Sequence, residues 1–403
     1  MHPAIYLFNP DYDMAMANFT PYYKAPAEII RMAADLSVLP VWFADEGCGV
    51  KVDCLKQVEL FRQQLGEVCR EEEGRKMLTR VLSAVNWTDD WQSARYRPWG
   101  WTPCLIHLLR QEGVEESLLP SKEKMQQLRY LSSRQRCLEI LPAFSGWDGI
   151  CGEMKACSHL SEVELFIQER RQVILKAPWS GSGRGLWKVS AESWNMQLAG
   201  WASRIMKVQG VLMAEPIYDK VADFAMEFFS DERGDVRFVG YSYFDTDVHG
   251  NYKANRLWSN EAIETVLACS VSSDLLHRLR ERLEEVLKKV LDGNYQGYLG
   301  VDMMVCRMED GFRIHPCVEV NLRMNMGVLS RILYDRHVHS LSEGEYVVEH
   351  YMHNGEALAF HQRMIELYPL EWKEGKMVNG YLPLTPVQEG TRFQAYLQVR
   401  WKN

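Results

Sequence analysis

The 403-residue sequence lacks any run of about 18 apolar residues, so no helix in it is expected to span a bilayer. It lacks an excess of basic charge: 54 acidic residues against 46 basic ones leave a formal net charge of -8, which argues against a broad nucleic-acid-binding surface. Its ten cysteines include no CxxC pair, and their spacings fit neither a zinc site nor a disulfide scaffold. The opening residues reach NPDYD without the charged-then-apolar layout of a secretory signal. Together these absences lead us to expect a protein of the reducing cytoplasm. Internal repeats and low-complexity tracts are missing too. The densest glycine cluster, GSGRG at 181–185, matches neither the dinucleotide fingerprint nor the Walker A loop, which needs Lys and Ser/Thr after its last glycine.

What is there reads as a mixed α/β and α+β chain of two or three domains, with 47% hydrophobic and 25% charged residues. AIYLFN (4–9) predicts a first strand, PAEIIRMAADLSVLP a helix and VWFA (41–44) a second strand, giving an α/β domain with a parallel sheet through about residue 115. The Trp- and Pro-rich stretch 86–103 resists assignment. Ser121 is a good N-cap, and Ser132 and Ser133 are placed to break that helix and cap another near Arg134. QVILKAP (172–178) and GVLMAEPI (210–217) read as strands, 223–244 as a hairpin and 272–292 as an amphipathic helix. In the last seventy residues, GEYVVEHYMHNGEALAFHQRMIEL reads as a helical piece.

The most informative geometry lies at 301–321. Asp310-Gly311 is a two-residue hairpin signal, and with that pair as the turn Asp302 faces Glu319, with Asn321 on the same face. Like charges across a ladder repel. A divalent cation would resolve the conflict, because two carboxylates and an amide oxygen are hard ligands that nucleotide phosphates can complete; a solvated sheet face with no metal is the alternative reading of the same geometry. A lysine at Lys176, on the strand before the glycine cluster, could neutralise the same phosphates while the loop amides close over them.

These two stretches, ILKAPWSGSGRG and GVDMMVCRMEDGFRIHPCVEVNLRMNMG, resemble the ATP-grasp superfamily over about residues 116–330. The resemblance implies an ATP-grasp fold, two α+β subdomains clasping ATP behind an α/β pre-ATP-grasp domain. The expected division is 1–115 for that first domain, 116–205 and 206–335 for the two subdomains, and 336–403 for a C-terminal extension packed on the core. It implies that Lys176 contacts the phosphates and that Gly181, Ser182, Gly183, Arg184 and Gly185 form the flap over them. Asp302, Glu319 and Asn321 would hold Mg²⁺, with Mn²⁺ as a substitute, and Arg323 would steady an anionic substrate or intermediate. Glu215 resembles the hinge glutamate at the adenosine end of ATP. A second phosphate-binding lysine is usual upstream; here Arg134 is the best-placed cation, with Lys122 and Lys124 as rivals. Asp223, Glu227 and Lys253 are weaker candidates. Asn9, Asp11 and Asp13 follow the first strand, where they either line an acceptor site or cap a turn.

The activity implied is an ATP-dependent carboxylate–amine ligase that forms an acylphosphate and releases ADP and phosphate. Its expected partners are a small carboxylate and an amine, with no nucleic acid and no membrane, and analogy extends to a homodimer. An ATP-grasp kinase and a non-catalytic ATP-binding regulator are the alternatives.

Overall fold

The computed structural model describes residues 4–180, 185–246 and 252–402. Near the N-terminus β1 (Ile5–Leu7), β2 (Gly49–Lys51), β3 (Asn86–Thr88) and β4 (Tyr96–Pro98) form a parallel sheet in the order β3-β2-β1-β4. Parallel neighbours need long crossovers; helices Ala27–Asp35 and Leu55–Val68 lie within two of them. The expected second strand is wrong. Leu39–Trp42 is a 3-10 turn with Pro40 in its opening positions, where a fixed φ suits a helical turn and the missing N–H would have been unpaired anyway. Two of the four strands come from the unassigned 86–103 stretch.

A second, antiparallel sheet runs β5-β8-β6-β7, with β5 (Lys155–Cys157), β6 (Gln172–Lys176), β7 (Leu186–Ser190) and β8 (Leu212–Pro216). Helices Leu160–Arg170 and Met196–Gln209 cover it, burying Phe166, Leu198 and Ala202 against Leu175 and Ala214. Before this sheet, the Ser121 hydroxyl accepts the Lys124 amide at 3.2 Å and starts helix Lys122–Leu131. Ser133 caps the short turn Arg134–Arg136, which places Arg134 at the end of β6.

The third sheet has nine strands: β9 (Asp219–Ser230), β10 (Val236–Thr246), β11 (Tyr252–Leu257), β12 (Gly297–Met308), β13 (Gly311–Asn321), β14 (Ser342–His350), β15 (Glu371–Lys373), β16 (Lys376–Pro383) and β17 (Phe393–Trp401). Their order is β13-β12-β9-β10-β11-β14-β17-β16-β15. The amphipathic helix Ser273–Leu291 seats Leu276, Leu279, Leu283 and Leu287 in the core under this sheet. The expected helical piece near the C-terminus divides in two. Residues 342–350 form β14, since the Tyr346-Val347-Val348 run suits a pleated surface, and only Glu356–Leu367 is helical.

The C-terminal strands tie the parallel sheet to this large one. Trp42 Nε1 donates to the Leu384 carbonyl at 2.8 Å, and Asp35 accepts the Arg392 and Phe393 amides at 2.9 and 3.0 Å. That packing brings helix Tyr12–Asn18, which directly follows β1, against the end of β13: the Tyr12 hydroxyl donates to the Leu322 carbonyl at 3.4 Å. Among the described residues no helix is long and apolar enough to cross a membrane. All ten cysteines are free thiols.

Candidate active site

Strands β12 and β13 pair Asp302 with Glu319, as expected, but by a different route. The turn is Glu309-Asp310, closed by Met308 opposite Gly311, whose φ of +135° favours glycine. That register alone would leave Asp302 and Glu319 out of step. A bulge corrects it: Met304 faces His315, not Cys317, and Pro316–Val318 oppose Met303 alone before Asp302 meets Glu319. Pro316 lacks the N–H that a regular ladder needs, so a bulge on the edge strand β13 is where proline belongs.

The acidic pair is strained by its own charge. Burial, and then the neighbouring Glu319, push the Asp302 carboxyl up to about 7. Asn321 Nδ2 donates to Asp302 Oδ2 at 2.9 Å. Glu319 is offset by Arg134, whose guanidinium meets Glu319 Oε2 at 2.8 Å. Among the described residues no group of three or more His, Cys, Asp and Glu side chains makes a ready metal centre. The donor set nonetheless fits a hard cation: two carboxylates on one face, one of them destabilised by the other, beside an amide. To offer its oxygen, the Asn321 amide would turn over.

Lys176 ends β6 in the buried interior, with Nζ 2.7 Å from Glu215 Oε2 on the adjacent β8. The two expected nucleotide contacts therefore hold each other. Glu215 Oε1 and Arg134 Nε are buried without a hydrogen-bond partner, and burial raises the Glu215 carboxyl. Strands β6 and β7 pair as a hairpin, and beyond their last pair the Ala177 amide donates to the Gly185 carbonyl at 3.0 Å. Gly181, Ser182, Gly183 and Arg184 lie outside the described residues; Gly185 has φ +73°.

Arg134 joins the base of this loop to the acidic pair. Its NH1 donates to the Ala177 carbonyl and the Ser180 hydroxyl, both at 2.7 Å, while NH2 reaches Glu319. Of its rivals, Lys124 is tied to the Asn294 carbonyl at 2.6 Å and Lys122 is exposed. Ser180 was not singled out in the sequence, although its place just before GSGRG is a signal that could have marked it.

Arg323 faces Asp13, with Nε to Oδ1 at 3.0 Å and NH2 to Oδ2 at 2.6 Å. Asn9 instead locks a turn, donating to the Gly100 carbonyl at 2.8 Å and accepting its amide at 3.3 Å. Asp223 bonds Lys220 and, at 3.0 Å, the Thr246 hydroxyl. Lys253 sits exposed on β11, well across the sheet.

Glu227 on β9 is opposite Gly300 and fully buried. A Cβ at Gly300 would lie 2.5 Å from its Oε2, and one at Gly327 would lie 2.1 Å from its Oε1, so two glycines make its seat. Asn325 Nδ2 donates to Oε2 at 3.0 Å, while Asn325 Oδ1 caps helix Met326–His337. Desolvation raises this carboxyl to about 8. His315 was not singled out either: it is wholly buried, both ring nitrogens are unpartnered, and burial with the nearby Lys176 charge lowers it to about 3.

No family model matches the sequence, and no curated protein matches it. Solved structures do match. A biotin carboxylase from Campylobacter jejuni, described as a β-γ-ATP complex, is 12% identical with a TM-score of 0.50, over 98% of this chain and 87% of that one. The biotin carboxylase domain of 2-oxoglutarate carboxylase from Hydrogenobacter thermophilus is 13% identical, over 86% and 84% of the two chains, with a TM-score of 0.47. N5-carboxyaminoimidazole synthetase from Staphylococcus aureus, complexed with ADP, is 10% identical over 100% and 93%, again at 0.47. The pairing of an antiparallel four-stranded sheet with a larger sheet ending in a carboxylate hairpin, behind a parallel α/β sheet, is what the Campylobacter likeness spans, and this chain has the ATP-grasp fold.

Proposed function

We propose that the protein is an ATP-dependent ligase that joins a carboxylate to an amine through an acylphosphate, releasing ADP and phosphate, in the cytoplasm. The observation that supports this reading is a chain of charged contacts drawn from separate elements: Arg134 pairs with Glu319, which opposes Asp302 across the ladder, Asn321 bonds Asp302, and Lys176 pairs with Glu215. Lys176 and Arg134 would offset phosphate charge, and Glu215 would meet the adenosine end of ATP. Asp302, Glu319 and the turned Asn321 amide would hold Mg²⁺ or Mn²⁺, which supplies charge neutralisation for the phosphates when bound.

The substrate carboxylate oxygen attacks the γ-phosphorus; that P–O bond forms as the bond to the ADP oxygen breaks. The amine nitrogen then attacks the acyl carbon, the C–O bond to phosphate breaks, and the nitrogen sheds a proton. Both carboxylates and both arginines exceed what simple nucleotide sensing requires.

The test is turnover of Mg-ATP with pooled amino acids, small carboxylates and amines, following ADP, AMP and phosphate, with Glu319→Ala as control. Pool-dependent ADP and phosphate, lost in the variant, are expected. ADP without phosphate would make the protein a kinase, and AMP with pyrophosphate would exclude the acylphosphate route.

A further inference from the structure

We propose that the cleft beside Asp13 is the acceptor subsite, built for a protonated primary amine carried on an apolar body. The inference rests on the ligase reading and names the substrate class it leaves open. Asp13, Ser132, Ser180, Glu319 and Asn321 border this cleft. Two ion pairs meet there, Arg323 with Asp13 and Arg134 with Glu319. In each, the cation is the hidden half. The Asp13 and Glu319 side chains are 30% and 29% exposed, against 15% for Arg323 and 6% for Arg134.

Arg134 holds Glu319 at 2.8 Å, Arg323 holds Asp13 at 2.6 Å, and both carboxylates border the same cleft. The four groups therefore form one cluster of alternating sign with its carboxylate edges turned to the cleft. A ligand entering it meets negative charge first. Glu319 belongs to the cation of the nucleotide site, which leaves Asp13 for the acceptor. Each Asp13 oxygen accepts one Arg323 bond and keeps lone-pair capacity for another donor.

The rest of the wall limits what carries that donor. Tyr12, Met16, Pro178, Trp179 and Leu322 supply its apolar surface. Asp11 does not border this cleft: burial raises its carboxyl, and it accepts from Cys104 Sγ at 3.9 Å. A single ammonium on an alkyl or aryl frame satisfies this wall; a polycation or a sugar does not. Loss of the ammonium proton to solvent before transfer frees the nitrogen lone pair for the acyl carbon.

Calorimetry on the full chain loaded with Mg-ADP provides the test, using phenethylamine against phenethyl alcohol. The amine should bind about tenfold or more tightly than the alcohol, as one charge-assisted hydrogen bond allows. Asp13→Asn should erase that preference; if the variant does not fold, the wild-type contrast alone decides. Equal binding of the two probes, or no amine binding while Mg-ADP binds, would overturn the inference. So would a second Mn²⁺ bound per chain in the wild type and lost in Asp13→Asn, which would make Asp13 a metal ligand. Failure of Mg-ADP itself to bind would remove the ligase reading, and the subsite with it.

Discussion

Replacing Glu227 by Gln should make the protein more stable at neutral and alkaline pH while changing little in acid. The folded chain holds this carboxyl at about 8, against an ordinary value of 4.5, because it is desolvated between Gly300 and Gly327. A carboxyl raised on folding binds its proton more tightly in the native state. Its contribution is therefore complete below about pH 4.5 and is lost as pH rises through about 8. Each pH unit in that window is worth about 1.4 kcal/mol, so near neutrality the wild type has given up on the order of 3 kcal/mol that Gln would not. Gln keeps the shape, its carbonyl can accept from Asn325, and its amide can face the Ser242 hydroxyl, which lies beside the same glycine. Urea unfolding followed by tryptophan fluorescence, repeated across pH, measures the difference directly. Asp302 titrates in the same direction in both proteins and cancels. Parallel stability curves for the two proteins would refute the reasoning, since they would mean that Glu227 is already ionised in the fold.

Gly327→Ala should destabilise the protein by about 1–3 kcal/mol, because its methyl would stand 2.1 Å from Glu227 and 2.6 Å from the Ser242 hydroxyl. Thermal unfolding should separate it from Gly200→Ala, in helix Met196–Gln209 with nothing within 4 Å, which should stabilise by about 0.5–1 kcal/mol. Asn325→Ala removes the cap of helix Met326–His337 and the partner of Glu227 together, and a loss of about 1–3 kcal/mol in urea unfolding is expected. Ser121→Ala, which removes a cap remote from the cleft, should lower stability by about 1 kcal/mol and leave Mg-ADP affinity unchanged in calorimetry.

Part of the candidate site's local geometry was legible because its residues obey local rules. Lys176 ends an apolar run before glycines, and the Asp302–Glu319 pairing follows from strand alternation. The pairing came out right through two compensating departures, a turn one residue early and a bulge at Pro316, and neither could be weighed without the ladder. Helix caps at Ser121 and Ser133 were readable in the same local way. The failures are tertiary. VWFA has strand-like side chains, but Pro40 and the packing of Trp42 on the C-terminal strands settle it as a turn. The role of the last seventy residues, extending the large sheet and anchoring the parallel one, lies in contacts hundreds of positions apart. Asp13 meets Arg323 across 310 positions, which no spacing in the chain reveals.

The most direct test of the nucleotide site is Mg-ADP calorimetry on the wild type, Glu319→Ala and Lys176→Met, with Lys122→Ala as a surface control. Magnesium-dependent binding in the wild type and the control, lost in the other two, is the predicted result. Binding that is absent from the wild type, or equally strong in Glu319→Ala and Lys176→Met, would contradict a nucleotide held between β6 and the carboxylate hairpin.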